Sequence, residues 1–107
     1  MFFTHRPSIK QQEESYPSYA DKFGHWAEQT DGMHEFVLWT ALEAEGFGAN
    51  LQHYNPVINQ KVAAQWGLPE DWELDAQLVF GVSTTSEPSL PKTFNKVEGE
   101  RFLTFGA

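Results

Sequence analysis

Between Trp26 and Ala44 the apolar residues return every three or four positions. Trp26, Met33, Phe36, Val37, Thr40, Ala41 and Ala44 trace one stripe of a 3.6-residue period, while Glu28, Asp31, Glu35, Glu43 and Glu45 fall on the other side. The spacing predicts an amphipathic helix over 26–45, inside a stretch of 20–45 that is one long helix or two with a bend. Gly46 suits the position just past the helix, where a left-handed backbone costs glycine nothing, and Gly48 lets the chain turn again at once. Gly32 interrupts the pattern at a cost of about 1 kcal/mol relative to Ala. It marks either a helix start near Thr30 or the close approach of a neighbouring element, and the second reading is preferred.

The rest of the chain reads in short segments. Phe2 and Phe3 look like the stub of a strand whose preceding partners are not in the sequence. Residues 8–15, with Ser8 as N-cap and a run of Gln and Glu behind it, predict a short polar helix, and Pro17 breaks it. Residues 49–53 read as a strand. Asn55-Pro56 then opens another helix, with Pro56 near its first turn and Val57, Ile58, Val62 and Trp66 as its buried stripe; Gly67 stops it. Pro69, Glu70 and Asp71 make a turn. From Trp72 to Phe80 the even positions Trp72, Leu74, Ala76, Leu78 and Phe80 alternate with Glu73, Asp75, Gln77 and Val79, the period of a strand with one drier face. Residues 81–92 form a loop, and the tail from Thr93 carries Phe94, Phe102 and Phe105 to pack on something.

This order gives a single α+β domain, one long helix with a small, mostly antiparallel sheet. Two or three strands make a poor independent sheet, so the sheet edge and the long helix should find partners outside this fold unit.

Composition narrows the function classes. At 107 residues and 40% hydrophobic, the chain can bury a modest core. A formal charge of −8 argues against nucleic acid as a partner, because neutralising phosphates needs a basic footprint. The absence of cysteine excludes thiolate chemistry and Cys-based metal sites and suits a reducing cytosol. With no long apolar run and no signal-like start, neither membrane insertion nor secretion is indicated, and a cytoplasmic location is expected. His25 and His34 stand nine apart with no carboxylate or thiol at metal spacing, so no metal site is expected. Trp26, Trp39, Trp66 and Trp72 read as core and interface residues, since base-stacking modules set aromatics beside basic grooves.

Candidate chemistry concentrates after the long helix. The Gly46-Phe47-Gly48 corner leads into Asn50, Gln52, His53, Tyr54 and Asn55, which bring hydrogen-bonding groups to the edge of an apolar body, an arrangement suited to a planar cofactor. Alone, the corner is equally well explained as a helix stop.

The run HEFVLWTALEAEGFGANLQHYNPVINQKVAAQWGLPEDWELDAQLVFG (34–81), with KFGHWAEQ (22–29) and YADKF (19–23) before it, resembles the nitroreductase family, in its fungal and bacterial branch. The resemblance covers nearly the whole chain and corresponds to the C-terminal half of the family's fold, without the N-terminal half and its Arg-rich, phosphate-gripping segment. It implies an FMN-dependent oxidoreductase passing a hydride from NAD(P)H to flavin and on to nitroaromatic or quinone-type acceptors. It also implies an intertwined homodimer with FMN at the interface and the long helix forming much of it. By the same resemblance Gly48, Ala49, Asn50, Leu51 and Gln52 contact the isoalloxazine, mostly through main chain, and Arg101 holds the phosphate. Thr104 stands where this branch commonly carries a second basic residue.

His53 and Tyr54 are candidates for lining the acceptor pocket, although a strand-end His and Tyr satisfied by nearby backbone is the commoner case. Arg101 could equally pair with Glu98 or Glu100. The alternative to an oxidoreductase is a non-enzymatic dimerisation remnant of the family that has lost flavin.

Overall fold

The computed structural model describes residues 1–85 and Gly106. Strand β1 (Phe2–His5) runs directly into helix α1 (Arg6–Ser15), and a short 3-10 turn (Pro17–Tyr19) leads into helix α2 (Ala20–Ala44). Strand β2 (Phe47–Gln52), helix α3 (Asn59–Trp66) and strand β3 (Trp72–Val82) follow. The sheet is antiparallel throughout, in the order β1-β3-β2, with β3 at its centre. The fold class is α+β, as the sequence implies.

The long helix is continuous from Ala20, and Gly32 neither starts it nor meets a neighbour: a Cβ there would find open space within 4 Å. The preference for close approach is thereby corrected. Gly46, at φ +89°, ends the helix as expected. Helix α1 begins before Ser8, with Pro7 in its first turn, where a missing N–H is harmless. Ser8 is not a cap; its Oγ bonds His5 Nδ1 at 2.7 Å. Helix α3 starts at Asn59 rather than at Pro56, because residues 55–58 form a turn through a cis Asn55-Pro56 bond. Of its expected buried stripe, Ile58 and Val62 are half-buried while Val57 and Trp66 are exposed. Gly67 closes the helix in the left-handed region at φ +60°. The Pro69–Asp71 turn is present, with Trp72 N–H bonding Pro69 O at 3.2 Å. Gly81 and Val82 continue β3, so the loop expected from Gly81 begins after them.

The core is a small layer between α2 and the sheet. Phe2, Ala76 and Leu78 are buried there, with Trp39, Leu42, Ala49 and Leu51 packed against them. Leu74 is also buried but belongs elsewhere. The β1–β3 register slips between Phe2, opposite Ala76, and Phe3, opposite Leu74, so Asp75 is an extra residue in β3. A bulge breaks the period of two. Leu74 therefore lines the opposite side of the sheet with Phe3, Trp72, Val62 and Ala63, facing α3, while Asp75 turns toward α2 and accepts a bond from Thr4 Oγ1 at 2.6 Å. The single dry face expected of β3 is really two, exchanged at residue 75.

Helix α2 also uses an unexpected side. From residue 25 onward Ala27, Asp31, Glu35, Trp39 and Leu42 are its half-buried positions, so two residues assigned to the polar face point inward. The predicted apolar stripe faces outward instead: Met33, Phe36 and Val37 are 63%, 70% and 63% exposed. A row of large apolar side chains in water marks an interaction surface, toward a polypeptide, a lipid face or a ligand. Among the described residues no helix is long and apolar enough to cross a membrane.

Candidate functional site

Residues 48–52 all lie on β2, which is hydrogen-bonded to β3 on one side and carries no strand on the other among the described residues. Such an edge leaves part of its N–H and C=O groups free to bind outward. Gly48 sits opposite Gly81, and a Cβ on Gly48 would meet nothing nearer than Gly81 O at 3.9 Å. With two facing glycines, this end of the sheet presents bare backbone. Asn50 opposite Val79 and Gln52 opposite Gln77 continue the same side, whereas Ala49 and Leu51 turn into the core. Phe47 and Phe80 meet edge-to-face at 5.8 Å on the core side and brace this end of the strand pair. The chain thus brings the five candidate main-chain positions together on one open strand; Arg101, Thr104, Glu98 and Glu100 lie outside the described residues.

His53 and Tyr54 leave β2 at its far end. His53 lines a cavity of about 200 Å³ between α2 and the sheet, with Thr4, Glu28, Asp31, Gly32, Glu35 and Asp75. This cavity is acidic, and two of its carboxyls hold their protons above the ordinary carboxylate range: Asp31 through burial and then the charge of Asp75, Glu35 through burial and then the charge of Asp31. Tyr54 is exposed, and its backbone N–H bonds Gln77 Oε1 at 2.9 Å. A larger cavity of about 360 Å³ lies at the other end of β3, between α3 and the 68–71 turn, and is mostly apolar.

Two groups near the site escaped the sequence reading. Gln77 occupies a position that alternation assigned to solvent, yet it is 7% exposed. Its only cue was an amide in the apolar run from Ala76 to Phe80. The Asp31, Glu35 and Asp75 grouping needed both the helix rotation and the bulge, neither of which periodicity reveals.

No protein-family profile matches the chain. Individual proteins do. A nitroreductase-family protein of Saccharomyces cerevisiae, HBN1, is 40% identical over 102 residues, 95% of this chain and 51% of that protein. The nitroreductase FRM2 of the same yeast is 40% identical over 84 residues, 78% of this chain and 42% of that protein. The solved nitroreductase CinD from Lactococcus lactis, in complex with 4-nitrophenol, superposes with a TM-score of 0.89 at 44% identity, covering 98% of this chain and 54% of that one. The class defined by this fold is α+β, a long helix packed on a small antiparallel sheet with an open edge strand. The chain belongs to the nitroreductase family, and it spans about half the length of the relatives it matches.

Proposed function

We propose that this chain supplies the C-terminal half of an FMN-dependent oxidoreductase that uses NAD(P)H to reduce nitroaromatic or quinone-type acceptors, in the cytoplasm and as a homodimer. The observation that carries this reading is the 44% identity to CinD, a protein solved with 4-nitrophenol and with chloramphenicol, both nitroaromatics. The geometry of β2 fits a flat ring. Gly48 and Gly81 leave a floor without side chains, and the outer main-chain groups of residues 48–52 are available as donors and acceptors. When bound, flavin supplies the hydride chemistry; the protein's part is to hold the ring and tune it through hydrogen bonds. In this reading the β2 backbone orients the ring, Arg101 binds the phosphate with its forked donors, and His53 and Tyr54 line the acceptor pocket. The outward face of α2, with Met33, Phe36 and Val37, is the dimer interface.

FMN titration followed by flavin fluorescence tests the binding step separately from turnover. Saturable quenching is expected, together with NAD(P)H oxidation in the presence of 4-nitrophenol or a quinone at a rate above free flavin. Protein that takes up no FMN and adds nothing to free flavin would instead mark a non-catalytic dimerisation remnant.

A further inference from the structure

Between the end of β2 and the start of α3 the chain must leave the sheet, and residues 53–58 form no regular structure of their own beyond a turn. What fixes this turn is a relay of side-chain amides. Tyr54 N–H donates to Gln77 Oε1 at 2.9 Å, Gln77 Nε2 donates to Asn55 Oδ1 at 2.9 Å, and Asn55 Nδ2 donates to Leu74 O. The polarity of the relay is determined link by link. Because an N–H faces Gln77 Oε1, its Nε2 must face an acceptor; because Asn55 offers Oδ1 there, its own Nδ2 must face a carbonyl. Reversing either amide would set donor against donor or acceptor against acceptor, so only one arrangement satisfies every group. Gln77 is the buried polar side chain among the described residues, and a buried amide is tolerated only when both its ends are bonded.

The side chains that this turn presents have little packing of their own to hold them, since His53 and Tyr54 are both exposed. We infer that Gln77 is a positioning residue for the acceptor pocket: through Tyr54 N–H and Asn55 it sets the backbone from which His53 and Tyr54 project, so acceptor selectivity depends on an amide on the neighbouring strand. This inference rests on the reading of His53 and Tyr54 as pocket residues.

The test joins a measurement that needs no flavin to one that does. In ¹⁵N-labelled, FMN-free protein, Gln77→Met keeps an unbranched side chain of similar length but removes both bonds. Exchange of the Tyr54 amide should quicken by about tenfold, the equivalent of one lost hydrogen bond, while the Ala76 and Leu78 amides keep their wild-type rates. In FMN-loaded protein the same variant should raise KM for 4-nitrophenol several-fold, with kcat and FMN affinity retained. Should Gln77→Met fail to fold, Asn55→Ala removes the Gln77 Nε2 and Leu74 O links but leaves the Tyr54 N–H bond in place, and should give the same rise in KM with a smaller quickening of Tyr54 exchange. Unchanged Tyr54 exchange, an unchanged KM, or unfolding of both variants would overturn the inference, the last because the relay would then hold the sheet and not the turn. Failure of the wild-type protein to bind FMN would defeat the oxidoreductase reading instead, and the exchange data would still report on the relay.

Discussion

Replacing Phe36 by Glu is the most direct challenge to the outward face of α2. Phe36 leaves 70% of its surface in water. A Phe side chain offers about 150–250 Å² for burial, so a covering partner would remove roughly 100–175 Å² at this one position, worth about 2.5–4 kcal/mol at 25 cal/mol per Å². In a two-fold dimer each substitution acts on both copies. The change should then weaken association by about four to six orders of magnitude in the dissociation constant. Phe36 takes no part in the core of Phe2, Ala76 and Leu78, so the helix itself should persist. Sedimentation velocity at micromolar concentration is expected to show wild-type dimer and Phe36→Glu monomer, with the helical circular dichroism band retained in both. A wild-type monomer, or a variant that sediments as the dimer, would refute the assignment of this face.

Three further substitutions probe the cavity and the glycines. Asp31 and Glu35 bind their protons more tightly folded than unfolded, so the stability they contribute is full below the ordinary carboxylate range near pH 4 and is lost as pH rises through their raised folded values. The urea midpoint should fall over that interval, and Asp31→Asn should flatten the fall and raise the midpoint at neutral pH; an identical slope in the variant would contradict the burial argument. Gly32→Ala, in a helix interior with open space around its Cβ, should stabilise by about 1 kcal/mol. Gly46→Ala forces a Cβ into φ +89° and should destabilise by about 1–2 kcal/mol. Thermal melts in which these two changes shift Tm the same way would overturn the backbone reading.

The elements that periodicity makes visible are those whose signals are local. Helix α2, the stop at Gly67, the Pro69 turn and the existence of β3 depend on spacing or on one residue's backbone preference, and all are read from the sequence correctly. What escaped depends on partners distant in the chain. The bulge at Asp75 belongs to the pairing of β3 with β1, whose register slips between Phe2 and Phe3, and it moves Leu74 to the opposite face. Helix α2 carries Trp39 and Leu42 on one side and Met33, Phe36 and Val37 on another, so periodicity finds a stripe but cannot say which side meets this chain's own sheet. The turn at 53–58 is held by Gln77, 23 residues beyond Tyr54, and so Pro56 reads from sequence as a helix start. The family, in contrast, was legible because likeness spread over nearly the whole chain, 40% over 102 residues, outweighs any single periodicity. The strand expected over 49–53 was legible in outline, although it starts at Phe47, takes in Gly48 and stops before His53, whereas the relay behind it was not.

The sheet's outermost strands bring a hazard with them. Among the described residues no strand pairs with the outer edges of β1 and β2, and main-chain groups on such edges recruit extended peptides, including another molecule of the same kind, so that repeated addition leads to insoluble assemblies rather than a defined complex. The opposing influence is the formal charge of −8, whose repulsion reaches only about 8 Å at physiological ionic strength. Concentrated stocks of this protein should therefore stay clear in dilute buffer and turn cloudy as salt is added.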